Sequence, residues 1–336
     1  MASPARPPRT TRAPRAARLR RALLAALVTA AVAVPVAGAA RPGEVPAPAP
    51  RAAGPLTATE PSALATQLDA RYADQRTALR AAARTAETHG AHGRAASLRA
   101  MARPGRSFLA FDGRDGGRGA EVVGDLARAE RIAVLVPGAD TGLDRYDRFR
   151  AGAVALQDTL RRGSGRRTAV LAWLGYRPPA SGSTASLTPG RADQAAPLLR
   201  SFVEEVHRIR PGARVTLLCH SYGSVVCARA AAGTAADAIV LYGSPGTGSD
   251  DVTELRTRAA VWAGRSTGDW IAEVPHVRVP LLPGTELGFG TDPVDPGFGA
   301  RRFAAGDGGH SDYLAPGSVP LSNLARIVAG QEPAGA

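Results

Sequence analysis

The chain has 336 residues, 44% of them hydrophobic and 21% charged, a composition ordinary for a soluble globular protein. That length allows one core of about 200–250 residues with extensions. A formal net charge of +13 invites a nucleic-acid reading, but seven of the 42 basic residues, all arginines, lie in residues 1–40, which hold no acid (Arg6, Arg9, Arg12, Arg15, Arg18, Arg20 and Arg21). Only +6 remains over the other 296 residues, with no dense basic run interleaved with aromatics, so nucleic acid is not an expected partner.

Residues 1–40 read as an export signal. The arginine-rich start precedes the apolar run "ALLAALVTAAVAVPVAGAA" (22–40), with Pro35 near its end and Ala37-Gly38-Ala39 in the A-x-A form that precedes cleavage. Arg20-Arg21 hints at twin-arginine export, without the rest of that motif. An uncleaved membrane anchor is the alternative, since a span needs about 20 apolar residues; the alanine content and Pro35 favour cleavage. The expected location is therefore secreted or extracytoplasmic, an oxidising compartment. Residues 41–55, "RPGEVPAPAPRAAGP", read as a disordered Pro/Ala linker.

An N-terminal helical segment is expected over 56–105. Thr59 suits a cap, Glu60 and Pro61 suit a first turn, and Leu64, Leu68, Tyr72 and Leu79 share one face of a helix over 59–87. A shorter helix over 93–103 turns Leu98 and Met101 inward, and the pair packs on the main domain or caps a substrate site.

From residue 106 to 330 the pattern becomes strand–helix–strand. Strands are predicted at 107–111, 120–126, 131–138, 168–176, 214–219, 238–243 and 259–264, several of them unbroken apolar runs such as "RIAVLVPG". Helices are predicted at 144–160, 190–210 (best formed after Pro197), 224–233 and 318–329. Apolar strands alternating with helices imply an α/β fold: a mostly parallel sheet with helices on both faces.

The stretch "VTLLCHSYGSVVC" (215–227) carries the chemistry. A strand, a serine and a helix, with small residues two before and two after the serine, form an elbow that lifts the hydroxyl above the sheet. Here Ser221 is the serine, Gly223 one small residue and Cys219 the other. The competing reading is Ser221 as a plain helix N-cap. A nucleophilic serine needs a base and an orienting acid, following it in the chain as acid and then histidine. His276 and His310 follow Ser221, and His310 is preferred because "GDGGHSDYL" is a glycine-flanked loop before the last helix. Asp269 in "RSTGDWIA" lies just past a strand end and is the preferred acid; Asp292 and Asp295 are runners-up, and Asp307 and Asp312 crowd His310 in sequence. His220 reads as a flanking group. The two oxyanion donors expected are the backbone N–H of Tyr222 and of Ala139, the latter in the loop "PGADTG" after the strand ending at Val136.

Several blocks, "VLVPGADTG", "WLGYRPP", "HSYGSVV", "GDWI", "DPVDPGFGARRF" and "GHSDYL", resemble an actinobacterial α/β-hydrolase family of largely unassigned substrate, over roughly residues 107–330. The resemblance implies the α/β-hydrolase fold and a triad on Ser221, Asp269 and His310. One departure is Cys219, where that family's elbow commonly reads G-H-S-Y-G. Fold and family leave the substrate open.

No motif points to a metal or cofactor, and none is expected. Cys219 and Cys227 flank the elbow, and a strand and helix lying side by side there bring them toward bridging distance. A disulfide stapling the elbow and two buried thiols are the alternatives. The expected function is a secreted serine hydrolase of carboxylic esters acting on a small or lipid-like acyl substrate. Amide hydrolysis or acyl transfer with the same triad, and a non-catalytic binding or cell-envelope protein, are the alternatives. The loops 174–190, with Tyr176 as a candidate substrate-lining residue, and 244–257 are the segments expected to shape a cleft. Peripheral association with the cell envelope fits an exported chain; oligomeric state is open.

Overall fold

The computed structural model describes residues 45–50, 54–282 and 285–335. The export signal expected in residues 1–40 lies outside the described residues. The chain order opens with helices α1 (Pro61–Thr88) and α2 (His92–Met101), then strands β1 (Ser107–Asp112), β2 (Arg118–Gly124) and β3 (Arg131–Val136). There follow α3 (Tyr146–Gly163), β4 (Thr168–Leu174), α4 (Gly190–Ile209), β5 (Arg214–His220), α5 (Tyr222–Ala231), β6 (Ala238–Tyr242) and β7 (Ala260–Gly264). The chain ends with the hairpin strands β8 (Val279–Leu282) and β9 (Thr285–Leu287), the two-residue β10 (Arg301–Arg302) and α6 (Val319–Ala329).

Among the described residues eight strands form one sheet, in the order β1-β2-β4-β3-β5-β6-β7-β10. β1, β2 and β4 pair antiparallel, and every pairing from β4 to β10 is parallel. The central strands are apolar on both faces because helices cover both. Along β3, Ile132, Val134 and Val136 enter one core while Ala133 and Leu135 enter the other. β4 divides the same way, with Leu171 and Trp173 facing α4 and α5, and Val170, Ala172 and Leu174 facing α3 and α6. This period of two is what a pleated strand between two helical layers requires.

α1 runs along β1 and covers that edge. Its inward face is Leu64, Leu68, Arg71, Gln75 and Leu79, so Tyr72 is only partly buried and two polar residues take stripe positions. Arg71 fits there because its guanidinium donates to the carbonyls of Leu109 and Gly54. The described parts of the stretch expected to be a disordered linker also touch the domain: Val45 and Ala47 pack against the α3–α6 side of the core. Short apolar side chains among the prolines give those described residues a surface to bury. α4 starts at Gly190, where the sequence places it, and runs unbroken through Pro197 to Ile209. No helix among the described residues is long and apolar enough to cross a membrane.

The parallel strands end their carboxyl edges at Val136, His220, Tyr242 and Gly264. Open α/β sheets place their functional loops outside that edge, and the residues singled out in the sequence lie there.

Candidate active site

β5 runs into α5 through a single residue, Ser221, at φ 52 and ψ −125. An L-residue held in this region costs about 1–3 kcal/mol and persists only where its surroundings over-determine it. The surroundings here are close-packed backbone. The Ser221 N–H donates to the Tyr242 carbonyl on the neighbouring strand, at 3.0 Å. A Cβ on Gly223 would meet the carbonyl oxygens of Val136 and Pro137 at 2.5 and 2.8 Å, so only glycine lets α5 start against the end of β3. A Cβ on Gly138 would meet the Ser221 Cβ at 2.6 Å, which brings the loop after β3 directly against the serine.

Cys219, at the remaining small position, is fully buried with its Sγ 2.09 Å from that of Cys227 in α5. The two Cα atoms are 6.3 Å apart, inside the usual bridging range.

The acid and the base reach the serine from two other loops at the same edge. Asp269 follows β7 and caps the short helical turn Trp270–Glu273, its Oδ1 accepting the Ile271 N–H at 2.9 Å. His310 sits in the glycine-rich loop before α6. Its Nδ1 is 2.8 Å from Asp269 Oδ1 and 3.1 Å from Oδ2, and its Nε2 is 2.9 Å from Ser221 Oγ. With the Nδ1 proton directed to the carboxylate, Nε2 is left to accept from the serine hydroxyl.

Asp269 is buried, which on its own raises a carboxyl pKa. Hydrogen bonds from His310, Tyr313 and the Ile271 N–H outweigh that and leave the group below its ordinary value, ionised at neutral pH. Its charge is present above that ordinary value and is lost only as the pH falls through the lowered one.

Two supporting residues are not signalled by the sequence. Tyr313, three residues after His310, donates its hydroxyl to Asp269 Oδ2 at 2.6 Å and accepts the Ser266 N–H at 3.1 Å. A buried tyrosine hydroxyl must find partners, but no spacing rule names the partner. His220, expected to point away as a flanking group, instead packs its ring 4.8 Å from that of His310. Its Nε2 donates to the His310 carbonyl at 2.8 Å. Burial beside His310 lowers the His220 pKa from 6.5 to about 4, so the ring is neutral at pH 7.

The other expected residues fall as follows. Tyr222 is the first residue of α5, where backbone N–H groups have no acceptor within the helix. Its own side chain is tied down elsewhere, accepting the Ala192 N–H and donating to the Thr188 carbonyl. Ala139 follows Gly138 in the loop that abuts Ser221. Tyr176 is buried, stacks on Trp173 and donates to the Pro137 carbonyl at 2.6 Å. Its hydroxyl is spent on that carbonyl, so the buried side chain braces the loop after β3 rather than lining a cleft.

In the segment 174–190, Arg177, Pro178 and Pro179 face Asp140, Thr141 and Gly142 of the loop after β3 across a cleft of about 380 Å³ that Ser221, Asp269 and His310 do not line. His276 and Asp292, the alternative base and one alternative acid, sit beside each other, 3.7 Å apart, with Arg265 also on Asp292. Asp295 caps the turn Pro296–Phe298, and Asp312 accepts the Gly309 N–H. Among the described residues no group of three His, Cys, Asp or Glu side chains is placed to hold a metal ion.

Comparison with known proteins adds a family. The family described as alpha/beta hydrolase matches residues 112–279. Two uncharacterized proteins of Mycobacterium tuberculosis are each 31% identical over 257 residues, covering 66% of this chain. The chain spans 38% of the length of these curated relatives. Among solved structures, an α/β serine hydrolase without a lid from Xanthomonas campestris is 18% identical, covering 68% of this chain and 94% of its own, with a TM-score of 0.41. Esterase LipW of Mycobacterium marinum is 14% identical, covering 74% and 88%, with a TM-score of 0.38.

Proposed function

The chain belongs to the alpha/beta hydrolase family, and from that premise we propose that it is a serine hydrolase of carboxylic esters, working through an acyl-enzyme on Ser221. The observation that carries this reading is the continuous line of hydrogen bonds from Asp269 through His310 to Ser221 Oγ, at 2.8 and 2.9 Å. It begins at a buried carboxylate and ends at a serine on a strained turn.

On this reading the reaction runs as an acyl transfer to Ser221 and then to water. Ser221 Oγ attacks the ester carbonyl while His310 Nε2 takes its proton. The imidazolium is stabilised by ionised Asp269, which Tyr313 and the Ile271 N–H hold in place. Negative charge on the carbonyl oxygen meets the Tyr222 N–H at the positive end of α5 and the Ala139 N–H. The bond to the alcohol then breaks, and His310 returns the proton to the leaving oxygen. Water, deprotonated by the same His310, releases the acid and restores Ser221.

A Cys219–Cys227 disulfide belongs to the same reading. It joins the end of β5 to α5 across the nucleophile, and its loop is too short for much chain-entropy stabilisation; rigidity of the elbow is its benefit. Such a bond fits an exported protein. Intact mass of purified secreted material should rise by two hydrogens on reduction, whereas no change would remove the staple.

The enzyme claim is tested with a fluorophosphonate probe. The folded protein should gain one adduct, located on Ser221, and Ser221→Ala should gain none. A folded protein that does not label, or equal labelling of Ser221→Ala, would remove the claim.

A further inference from the structure

Trp270 is the most exposed of the large apolar side chains among the described residues, at 56%. Scattered surface hydrophobics are normal. This one lies in ring contact with the base: its indole centroid is 4.7 Å from the His310 imidazole, with the planes tilted by 48°. The backbone under it is fixed, because Asp269 immediately before it caps the turn that Trp270 begins. His310 does not need the indole to stay in position. Asp269 holds its Nδ1, and partly buried His220 packs against its ring and holds its carbonyl. The outer, solvent-facing indole is therefore free to meet a ligand.

The chemistry decides which part of a ligand that is. In the tetrahedral intermediate the carbonyl oxygen points to the Tyr222 and Ala139 N–H groups. The leaving oxygen must come within hydrogen-bond reach of His310 Nε2 to receive its proton. Of the two organic groups of an ester, it is the alcohol that passes beside the imidazole, and so beside the indole. We propose that Trp270 is the alcohol-recognition surface of the site, selecting esters whose leaving alcohol is apolar and bulky or aromatic. This inference rests on the hydrolase reading above.

A consequence separates recognition from mere support. Acylation forms the Ser221–acyl bond, breaks the acyl–alcohol bond and sends the Ser221 proton, by way of His310, out on the alcohol. From then on no alcohol is present. Trp270 therefore acts in acylation, whereas a residue that only held His310 would matter equally in deacylation, which uses the same imidazole.

The experiment compares Trp270→Ala and Trp270→Phe with the native enzyme on methyl, cyclohexylmethyl and benzyl butyrate. Taking the ratio of kcat/KM between native and variant for each ester cancels intrinsic reactivity. The Trp270→Ala ratio should be about tenfold larger for benzyl than for methyl butyrate, as expected for losing an aromatic contact, and Trp270→Phe should recover most of it. Deacylation is read separately as recovery of activity after carbamoylation by a p-nitrophenyl carbamate, and Trp270→Ala should slow it far less than it slows acylation by benzyl butyrate.

A ratio that is the same for all three alcohols, or an equal loss in recovery from carbamoylation, overturns the proposal and makes Trp270 a positioning residue. Fluorophosphonate labelling of both variants verifies an intact site, since the exposed indole is not part of the core. A native protein that neither labels nor turns over any ester removes the hydrolase reading itself, whereas a labelled, active enzyme with a flat ratio removes only this inference.

Discussion

Two carboxylates lie buried in this protein at nearly the same depth, Glu121 at 1% exposed on β2 and Asp269 at 2% after β7. Glu121 is gripped by Arg106 Nε and Nη2 at 2.6 and 2.8 Å and by Arg150 Nε at 2.9 Å. Arg106 reaches on to Asp147, tying the antiparallel edge of the sheet to α3. Each of these donors to Glu121 is a guanidinium, which never gives up its proton, so the cluster can only hold. One donor to Asp269, His310, is an imidazole, able to carry its proton on either ring nitrogen, and that donor leads to a serine at the open edge of the sheet. Burial of a carboxylate is therefore neutral as to function. The kind of donor, and where the next hydrogen bond leads, separates a cluster that only holds from the one proposed to be catalytic.

Swapping each carboxylate for its amide breaks the comparison from both sides. Asp269→Asn should cost about 10³–10⁴ in kcat, because the amide favours the wrong imidazole tautomer, while urea titration finds its stability changed much less. Glu121→Gln should do the reverse. Removing one partner of a buried ion pair costs about 3–5 kcal/mol, seen as a lower urea midpoint, while kcat per folded molecule stays near native. Activity lost equally in both variants would dissolve the distinction.

A smaller effect sharpens it. His220, neutral in the fold with a pKa of about 4, gains a proton near 6.5 once unfolded. Between those values the unfolded state binds more protons, so stability falls as pH drops from about 6.5 toward 4 and levels off below. The interval is worth about 1–3 kcal/mol. His220→Gln keeps a donor for the His310 carbonyl and does not titrate, so its stability should fall less steeply over that interval. Identical slopes in denaturant titrations across pH 4–7 would show that His220 is not held neutral.

The same difference explains which features are legible in the amino-acid sequence. Unbroken apolar runs such as residues 132–136 and 169–174 announce strands buried on both faces, because no solvent-facing position interrupts them. Ser221, Asp269 and His310 stand out because elbow chemistry and chain order constrain where such residues fall, and the structure brings those three side chains together. Tyr313 and His220 do not stand out, since their roles depend on which strand end their loop meets. Tyr176 reads as a lining residue because an aromatic in a loop looks exposed until its acceptor, the Pro137 carbonyl, is known. The hairpin of β8 and β9 and the two-residue β10 carry too few residues for a periodic signal. Arg71 and Gln75 hide the true inward face of α1; a polar side chain such as Arg71 can be buried there only by finding backbone acceptors.

The central claim is that Ser221 carries the acyl group during turnover. Acid-quenching the enzyme in the first moments of reaction with a p-nitrophenyl ester, then measuring intact and peptide masses, tests it most directly. The account predicts a mass gain of one acyl group, located on Ser221, absent from Ser221→Ala, and longer-lived in Asp269→Asn. Ester turnover with no adduct, or with the acyl group on another residue, would contradict it.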